Sequence, residues 1–218
     1  MAVNFNGPYL LMRLLLPIFR KQKSGCVVNI ASKAGTVFGP YMASYCASKA
    51  AIINLTGCIQ VEMDIEKLDD IHLYSIHPGG VRSVMTKTSK PLPLPFFFLP
   101  TLLESRYSPR DSEEEYSEDN ISKLPAFAQR WRNHTDSYND SAHLSGMTSV
   151  ALATGLAKRA LRGRYFDATQ NLEDVIEEAE AIRRDPLLYG LGTKFLGELD
   201  NYRVAPQALE EPFDFPGF

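Results

Sequence analysis

The 218-residue chain has few cysteines, few histidines and little excess charge of either sign. Its three cysteines, Cys26, Cys46 and Cys58, show no CxxC spacing, which indicates reduced intracellular thiols. Neither the four histidines nor the acidic run at 111–119 has the spacing of metal ligands, so no metal site is predicted. A net charge of −3 gives no basic face, so no nucleic-acid partner is expected.

Long apolar runs are also absent. The stretch LPLPFFFLPTLL at 92–103 has twelve residues and is interrupted by prolines, whereas a membrane-spanning helix needs ~20 apolar residues. Arg13 interrupts the run YLLMRLLLPIF at 9–19, and the charges lie on the wrong side for a secretory signal. We therefore expect a cytoplasmic protein without a membrane partner. The stretch at 92–103 is either an apolar lid over a substrate or a packed or disordered loop.

Helical and strand patterns alternate along the chain. Helices are predicted at 4–21, 44–65, 147–161 and 172–184, and strands within SGCVVNIAS, IHLYSIHPGG and GRYFDAT. This alternation indicates an α/β fold with a parallel sheet and helices on its faces. Ligands of such folds lie beyond the carboxyl ends of the strands, which here are NIAS at 29–32 and IHPGG at 76–80.

The predicted first helix has a broad apolar face. The positions that define it are Leu10, Leu11, Leu14, Leu15 and Ile18. A stripe of this width is typical of a helix that is buried on more than one side.

The stretch between the second and third predicted strands is irregular over a long range. We expect one α/β domain at 1–200, with an irregular substrate-loop insertion at about 87–145. The residues at 201–218 are predicted to form a loosely held tail.

The stretch YMASYCASKA at 41–50 places a lysine one helical turn after a tyrosine. On a helix, Tyr45 and Lys49 lie on the same face. A phenol is a poor base at neutral pH unless its anion is stabilised, and an ammonium group one turn away would stabilise it. Such a pair could exchange a proton with an alcohol or a carbonyl oxygen.

Other polar groups surround this pair in the predicted fold. Ser32 follows the first strand and could hydrogen-bond the same substrate oxygen, and Asn4 could complete a polar relay. A tyrosine–lysine pair alone is usually a surface feature. Its occurrence together with Ser32 and with the Pro78-Gly79 turn favours a catalytic site.

These motifs together resemble those of the short-chain dehydrogenase/reductase family. The matching stretches are VNFNG at 3–7, GCVVNIASKAG at 25–35, YCASKAA at 45–51 and HPGGVRS at 77–83. LRGRYFDATQNLEDV at 161–175 is similar to the closing segment of fungal members. The resemblance is close over residues 1 to about 90 and looser over 145–180.

The resemblance implies roles for single residues. Tyr45 would be the general acid in carbonyl reduction and the base in alcohol oxidation, and Lys49 would assist it and bind the nicotinamide ribose. Ser32 would hold the substrate oxygen, and Asn4 would keep a water molecule in a proton relay next to the cofactor. The turn that would contact the nicotinamide contains Pro78, Gly79, Val81 and Ser83, where Ser83 replaces the family's usual threonine.

The resemblance also implies a cofactor and partners. The cofactor would be NAD(P), with the choice between NAD and NADP open, and the substrate a small hydrophobic carbonyl compound or secondary alcohol. A homo-oligomer would form through the helices that carry Asn4 and Tyr45.

One family motif is missing from the 218 residues. No turn of the form Thr-Gly-x-x-x-Gly-x-Gly occurs, although this turn binds the cofactor pyrophosphate. We therefore expect an incomplete Rossmann fold with the last three strands of the usual sheet, whose first strand has an exposed edge. Two hypotheses follow: the chain is a fragment of a longer enzyme, or it is an enzyme remnant that acts as an interaction or dimerisation protein.

Overall fold

The computed structural model describes residues 1–39, 42–82, 134 and 137–192. Within these ranges three strands form one parallel sheet: β1 (Gly25–Ile30), β2 (Ile71–His77) and β3 (Tyr165–Asp167). The strand order is β1-β2-β3, so β2 is central and β1 lies at an edge.

Six α-helices accompany the sheet in the described part of the chain. They are α1 (Gly7–Gln22), α2 (Ala43–Ile65), α3 (Ala142–Ala153), α4 (Lys158–Leu161), α5 (Leu172–Glu177) and α6 (Ala179–Arg184). A π-helical turn, Ala2–Asn6, precedes α1, and a short 3₁₀ turn, Lys33–Gly35, follows β1.

Alternate side chains of β2 enter two apolar clusters on opposite faces of the sheet, because successive side chains of a strand point in opposite directions. The cluster beside α1 and α2 contains Met12, Leu16, Ile59, Met63, Ile71 and Leu73. The cluster beside the later helices contains Tyr74, Ile76, Leu152, Ala157, Ala160, Leu161, Phe166, Val175, Ala179 and Ile182. A parallel sheet with helices on both faces confirms the predicted α/β class and fits a partial Rossmann fold.

The side chain of Gln60 forms hydrogen bonds with the first residues of β2, which lie before the part of the strand that pairs with β3. Its Oε1 accepts a hydrogen bond from the Leu73 N–H at 2.8 Å, and its Nε2 donates to the Ile71 carbonyl at 3.3 Å. Gln60 is buried in α2, so these contacts satisfy polar groups that water does not reach.

Two helices that the sequence patterns predict as single are each divided. The predicted helix at 147–161 is two helices, α3 and α4, separated by a turn at Gly155, whose φ of +79° favours glycine. It also begins earlier, because the Ser141 side chain accepts a hydrogen bond from the His143 N–H and caps α3. The predicted helix at 172–184 is divided at Glu178 into α5 and α6.

The expectation that α1 is buried on more than one side is wrong for the described structure. Its buried residues are Met12 and Leu16, which face the sheet and α2. The predicted stripe residues Leu10, Leu11, Leu14, Leu15 and Ile18 are all exposed. Helical periodicity correctly predicted the helix, but it did not predict how many sides of α1 are covered by the other described elements.

Several sequence-based predictions lie outside the described residues. These are the apolar stretch at 92–103, most of the insertion at 87–145, the tail at 201–218 with the domain boundary before it, and Ser83. No helix within the described ranges is long and apolar enough to cross a membrane.

Candidate active site

Ser32 lies just beyond the carboxyl end of β1 in an extended conformation. Its Oγ accepts a hydrogen bond from the Ala34 N–H at 3.2 Å and so caps the turn Lys33–Gly35. A serine hydroxyl can accept and donate at the same time. Among the described residues, the Ser32 hydroxyl donates no hydrogen bond, so its proton can be donated to a substrate oxygen.

Tyr45 and Lys49 lie one turn apart at the start of α2, as their spacing predicts. The Lys49 Nζ is 5.8 Å from the centroid of the Tyr45 ring, and it donates a hydrogen bond to the Ile30 carbonyl at 2.8 Å. Ile30 is the last residue of β1, so this bond ties α2 to the strand end that leads into Ser32. Burial lowers the pKa of the Lys49 ammonium group.

A close backbone approach holds the Ser32 turn against α2. A Cβ atom built on Gly35 would lie 2.8 Å from the Lys49 carbonyl carbon and 2.9 Å from the Ala50 nitrogen. Real Cβ atoms do not approach backbone this closely, so the turn can pack here because residue 35 has no side chain. Gly35 and the Lys49–Ile30 hydrogen bond together bring Ser32, Tyr45 and Lys49 to one end of the sheet.

Asn4 reaches the same helix through a relay. Its Nδ2 lies 3.4 Å from the Ser48 Oγ, and the Ser48 Oγ donates to the Tyr45 carbonyl at 2.7 Å. Ser48 is buried, and Asn4 lies in the π-helical turn, a kind of irregularity that is frequent at functional sites. The printed sequence indicated Asn4 but not Ser48, whose position one turn into a helix has no distinctive pattern.

The Pro78-Gly79 turn follows β2 at the same end of the sheet. Gly79 has a φ of +89° and is buried, so the turn requires glycine at this position. Val81 forms an isolated parallel bridge with Asp140, and the Asp140 Oδ2 accepts a hydrogen bond from the Gly80 N–H at 2.6 Å. No sequence pattern indicated Asp140, because about sixty residues separate it from the turn.

Charged side chains surround the end of β2. The pKa of His77 is lowered, chiefly by burial and also by Lys33. The carboxylates of Asp167 and Asp140 oppose this shift. Among the described residues no group of three or more His, Cys, Asp or Glu side chains could hold a metal ion.

Known proteins are similar to parts of this chain. Residues 1–92 match the family model described as short chain dehydrogenase. The chain is 40% identical over 81 residues to a short-chain dehydrogenase/reductase of Talaromyces verruculosus. The aligned region covers 37% of this chain and 30% of that protein. It is 26% identical over 186 residues to a short chain dehydrogenase of Pseudocercospora fijiensis, covering 82% of this chain and 48% of that protein.

A solved structure is also similar to this chain. It is a short-chain dehydrogenase from Streptomyces avermitilis, with a TM-score of 0.47 and 21% sequence identity over 85% of this chain and 57% of that one. The chain covers less than half of the length of the two curated relatives named above. Residues 1–92, which match the short chain dehydrogenase model, contain Ser32, Tyr45 and Lys49, and both curated relatives named above are described as short-chain dehydrogenases.

Proposed function

We propose that this chain carries the proton-transfer and substrate-binding half of an NAD(P)-dependent oxidoreductase that interconverts a carbonyl group and a secondary alcohol. The observation that carries the proposal is the position of Lys49 between the Tyr45 ring and the carboxyl end of β1. An ammonium group beside a phenol can stabilise the phenolate, and a phenolate can take a proton from an alcohol.

Each residue has a defined task in this mechanism. In carbonyl reduction, the Tyr45 O–H bond breaks and its proton goes to the substrate oxygen. Ser32 donates a hydrogen bond to that oxygen and holds it while negative charge develops. Asn4, through its contact with Ser48, fixes the first turn of α2 and supports a water molecule that returns a proton to Tyr45.

The groups present fit the nicotinamide end of a dinucleotide. An ammonium group has three protons, and the hydrogen bond to Ile30 uses one of them, so Lys49 keeps two for the hydroxyl groups of a ribose. Pro78, Gly79 and Val81 would line the nicotinamide ring, and Ser83 would contribute its hydroxyl group. When bound, the reduced cofactor supplies the hydride that the carbonyl carbon takes up. The choice between NAD and NADP stays open.

A hydrophobic substrate is supported by the loop between Ser32 and α2. Val37 is 51% exposed and Phe38 is fully exposed on this loop. Two exposed apolar side chains on the segment between Ser32 and the helix that carries Tyr45 provide a surface for an apolar carbonyl compound. The proposed substrate is therefore a small carbonyl compound that carries an apolar group, or the corresponding alcohol.

The test is a reductase assay on the native protein, purified from its source cells, with a panel of apolar ketones and with both NADH and NADPH. The Tyr45→Phe variant is expected to lose ~100- to 10,000-fold in kcat, the contribution of a general acid. Tyr189→Phe is the matched control, because Tyr189 is half-buried and its ring packs on Phe166 in the core cluster beside the later helices. A wild-type protein that reduces no ketone in the panel, or an unchanged rate in Tyr45→Phe, would refute the proposal.

An alternative function is that of a non-catalytic interaction protein. It is supported by the exposed apolar face of α1, since contiguous apolar patches on a protein surface mark sites of association. The same face supports a homo-oligomer through the helices that carry Asn4 and Tyr45. This alternative predicts that the protein self-associates and that Tyr45→Phe does not change this self-association.

A further inference from the structure

A second segment of the chain is attached to the Pro-Gly turn. The Asp140 N–H donates to the Gly80 carbonyl at 3.1 Å, and the Asp140 Oδ2 accepts from the Gly80 N–H at 2.6 Å. Asp140 therefore satisfies both backbone groups of Gly80, as a neighbouring strand would. The Arg82 Nε also donates to the Tyr138 carbonyl at 2.8 Å. Three hydrogen bonds thus hold residues 138–140 against residues 80–82.

This attachment places the ring of Tyr138 on Gly80. A Cβ atom built on Gly80 would lie 2.8 Å from the Cδ1 and 3.0 Å from the Cγ of Tyr138. The ring therefore occupies the space that a side chain at residue 80 would need. The His134 ring packs edge-on against the Tyr138 ring, with the centroids 5.2 Å apart. The position of the Tyr138 side chain is consequently defined from two sides.

Tyr138 lies at the same end of the sheet as the proposed acid, because its ring packs on Gly80, which follows β2 just as Ser32 follows β1. Burial raises the pKa of Tyr138 above its ordinary value, and the neighbouring Tyr45 raises it further. Tyr138 is therefore a neutral hydrogen-bond donor throughout the neutral pH range. A fixed phenol donor beside the proposed acid can bind a second acceptor atom of the molecule that Tyr45 protonates.

We propose that Tyr138 is a substrate-binding residue, held in place by Gly80 and Asp140, that selects carbonyl substrates with a second hydrogen-bond acceptor close to the reacting carbonyl. This inference rests on the proposed oxidoreductase function. The substrate class is that of dicarbonyl compounds, keto esters and hydroxy ketones. Ser32 and Tyr45 bind the reacting oxygen, and Tyr138 donates to the other oxygen.

The test compares a β-keto ester with a simple ketone of the same chain length, using native protein and the Tyr138→Phe variant. Wild-type protein is expected to prefer the keto ester in kcat/KM. Phenylalanine keeps the ring on Gly80 and removes the donor, so the variant should lose roughly 3- to 10-fold in kcat/KM for the keto ester. Its kcat/KM for the simple ketone should stay within about 2-fold, because that substrate makes no such hydrogen bond.

The outcomes separate the two proposals. If Tyr45→Phe keeps its activity, the proposed function fails. If Tyr45→Phe is inactive while Tyr138→Phe leaves the preference for the keto ester unchanged, the assignment of Tyr138 alone fails. Tyr189→Phe serves again as the control for the loss of a tyrosine hydroxyl group.

A second measurement needs no substrate. In protein labelled with ¹³C at the ζ carbon of tyrosine, the signal absent from Tyr138→Phe identifies Tyr138. Its pKa is expected to fall in Tyr45→Phe, because a neighbouring phenolate no longer opposes its ionisation. An unchanged Tyr138 titration would overturn the proximity on which the inference depends, even in a protein whose substrate is unknown.

Discussion

At the scale of single residues, the site combines groups whose surroundings differ from water. Lys49 is half-buried, donates to a main-chain carbonyl and has a lowered pKa because of burial. Tyr138 is half-buried and has a raised pKa for the same reason. Burial therefore favours the neutral form of Tyr138, which is the form that donates a hydrogen bond to a substrate.

Burial also acts on His72, a residue of β2 outside the site. Burial lowers its pKa, Lys158 and Arg162 lower it further, and Asp70 opposes them. The unfolded chain has the ordinary histidine pKa of about 6.5, so it binds a proton before the folded protein does as the pH falls. The stability that neutral His72 contributes is thus complete above pH ~6.5 and is lost below it.

We expect His72→Gln to make stability less dependent on pH. Urea denaturation at pH 7.5 and pH 5.5 measures this dependence, and one histidine can change the free energy of unfolding by at most ~1.4 kcal/mol per pH unit. The control is His143→Gln, because His143 is exposed. An equal loss of stability on acidification in wild type and His72→Gln would contradict the expectation.

At the scale of secondary-structure elements, the site depends on how a turn, two strand ends and a helix meet. The turn after β1 touches the backbone of α2 at Gly35, and the turn after β2 is held by Asp140. These contacts join segments that are distant in sequence. The geometry of the candidate site therefore depends on close backbone packing as much as on the polar side chains.

Gly35→Ala tests the first of these contacts. The added methyl group would meet the Lys49 and Ala50 backbone, which cannot rotate away, so the variant should lose ~1–3 kcal/mol of stability. It should also lose activity, because the Ser32 turn moves away from Tyr45. Denaturant titration and the reductase assay measure the two effects.

The matched control is Gly146→Ala in α3. No atom lies within 4 Å of the Cβ position of Gly146, and alanine is the better helix former, so this variant should gain ~0.5–1 kcal/mol. If both glycine variants had the same stability as wild type, the close approach at Gly35 would not constrain the fold.

At the scale of the whole molecule, the described structure leaves one side of α1 and one edge of the sheet open. Leu11 and Leu14 are 59% and 70% exposed, and β1 pairs with one strand among the described elements. Unpaired strand edges and apolar patches both promote association. The proposed homo-oligomer would cover the apolar face of α1.

The double variant Leu11→Glu and Leu14→Glu should shift the protein toward the monomer in sedimentation velocity. Because both side chains are exposed, the stability of each subunit should change by less than about 0.5 kcal/mol per substitution. Val150→Glu is the control, since Val150 is 61% exposed on α3. A monomeric wild-type protein, or undiminished association of the double variant, would exclude this interface.

The local features of the site follow from sequence spacing. Tyr45 and Lys49 lie on one face of α2 because residues four apart on a helix are neighbours. Ser32 and Pro78 follow strands whose alternation with helices predicts a parallel sheet, so their arrival at one end is expected from topology. The α/β class is confirmed, while the roles of these residues stay predictions.

Long-range packing decides the rest. Tyr138 and Asp140 reach the Pro-Gly turn across about sixty residues, and the spacing of motifs along the chain does not contain such a contact. The stripe on α1 predicts a helix, but only the positions of the sheet and of α2 determine that Met12 and Leu16 are buried while Leu10 and Leu14 are exposed. Periodicity describes one element, whereas burial depends on the neighbours of that element in space.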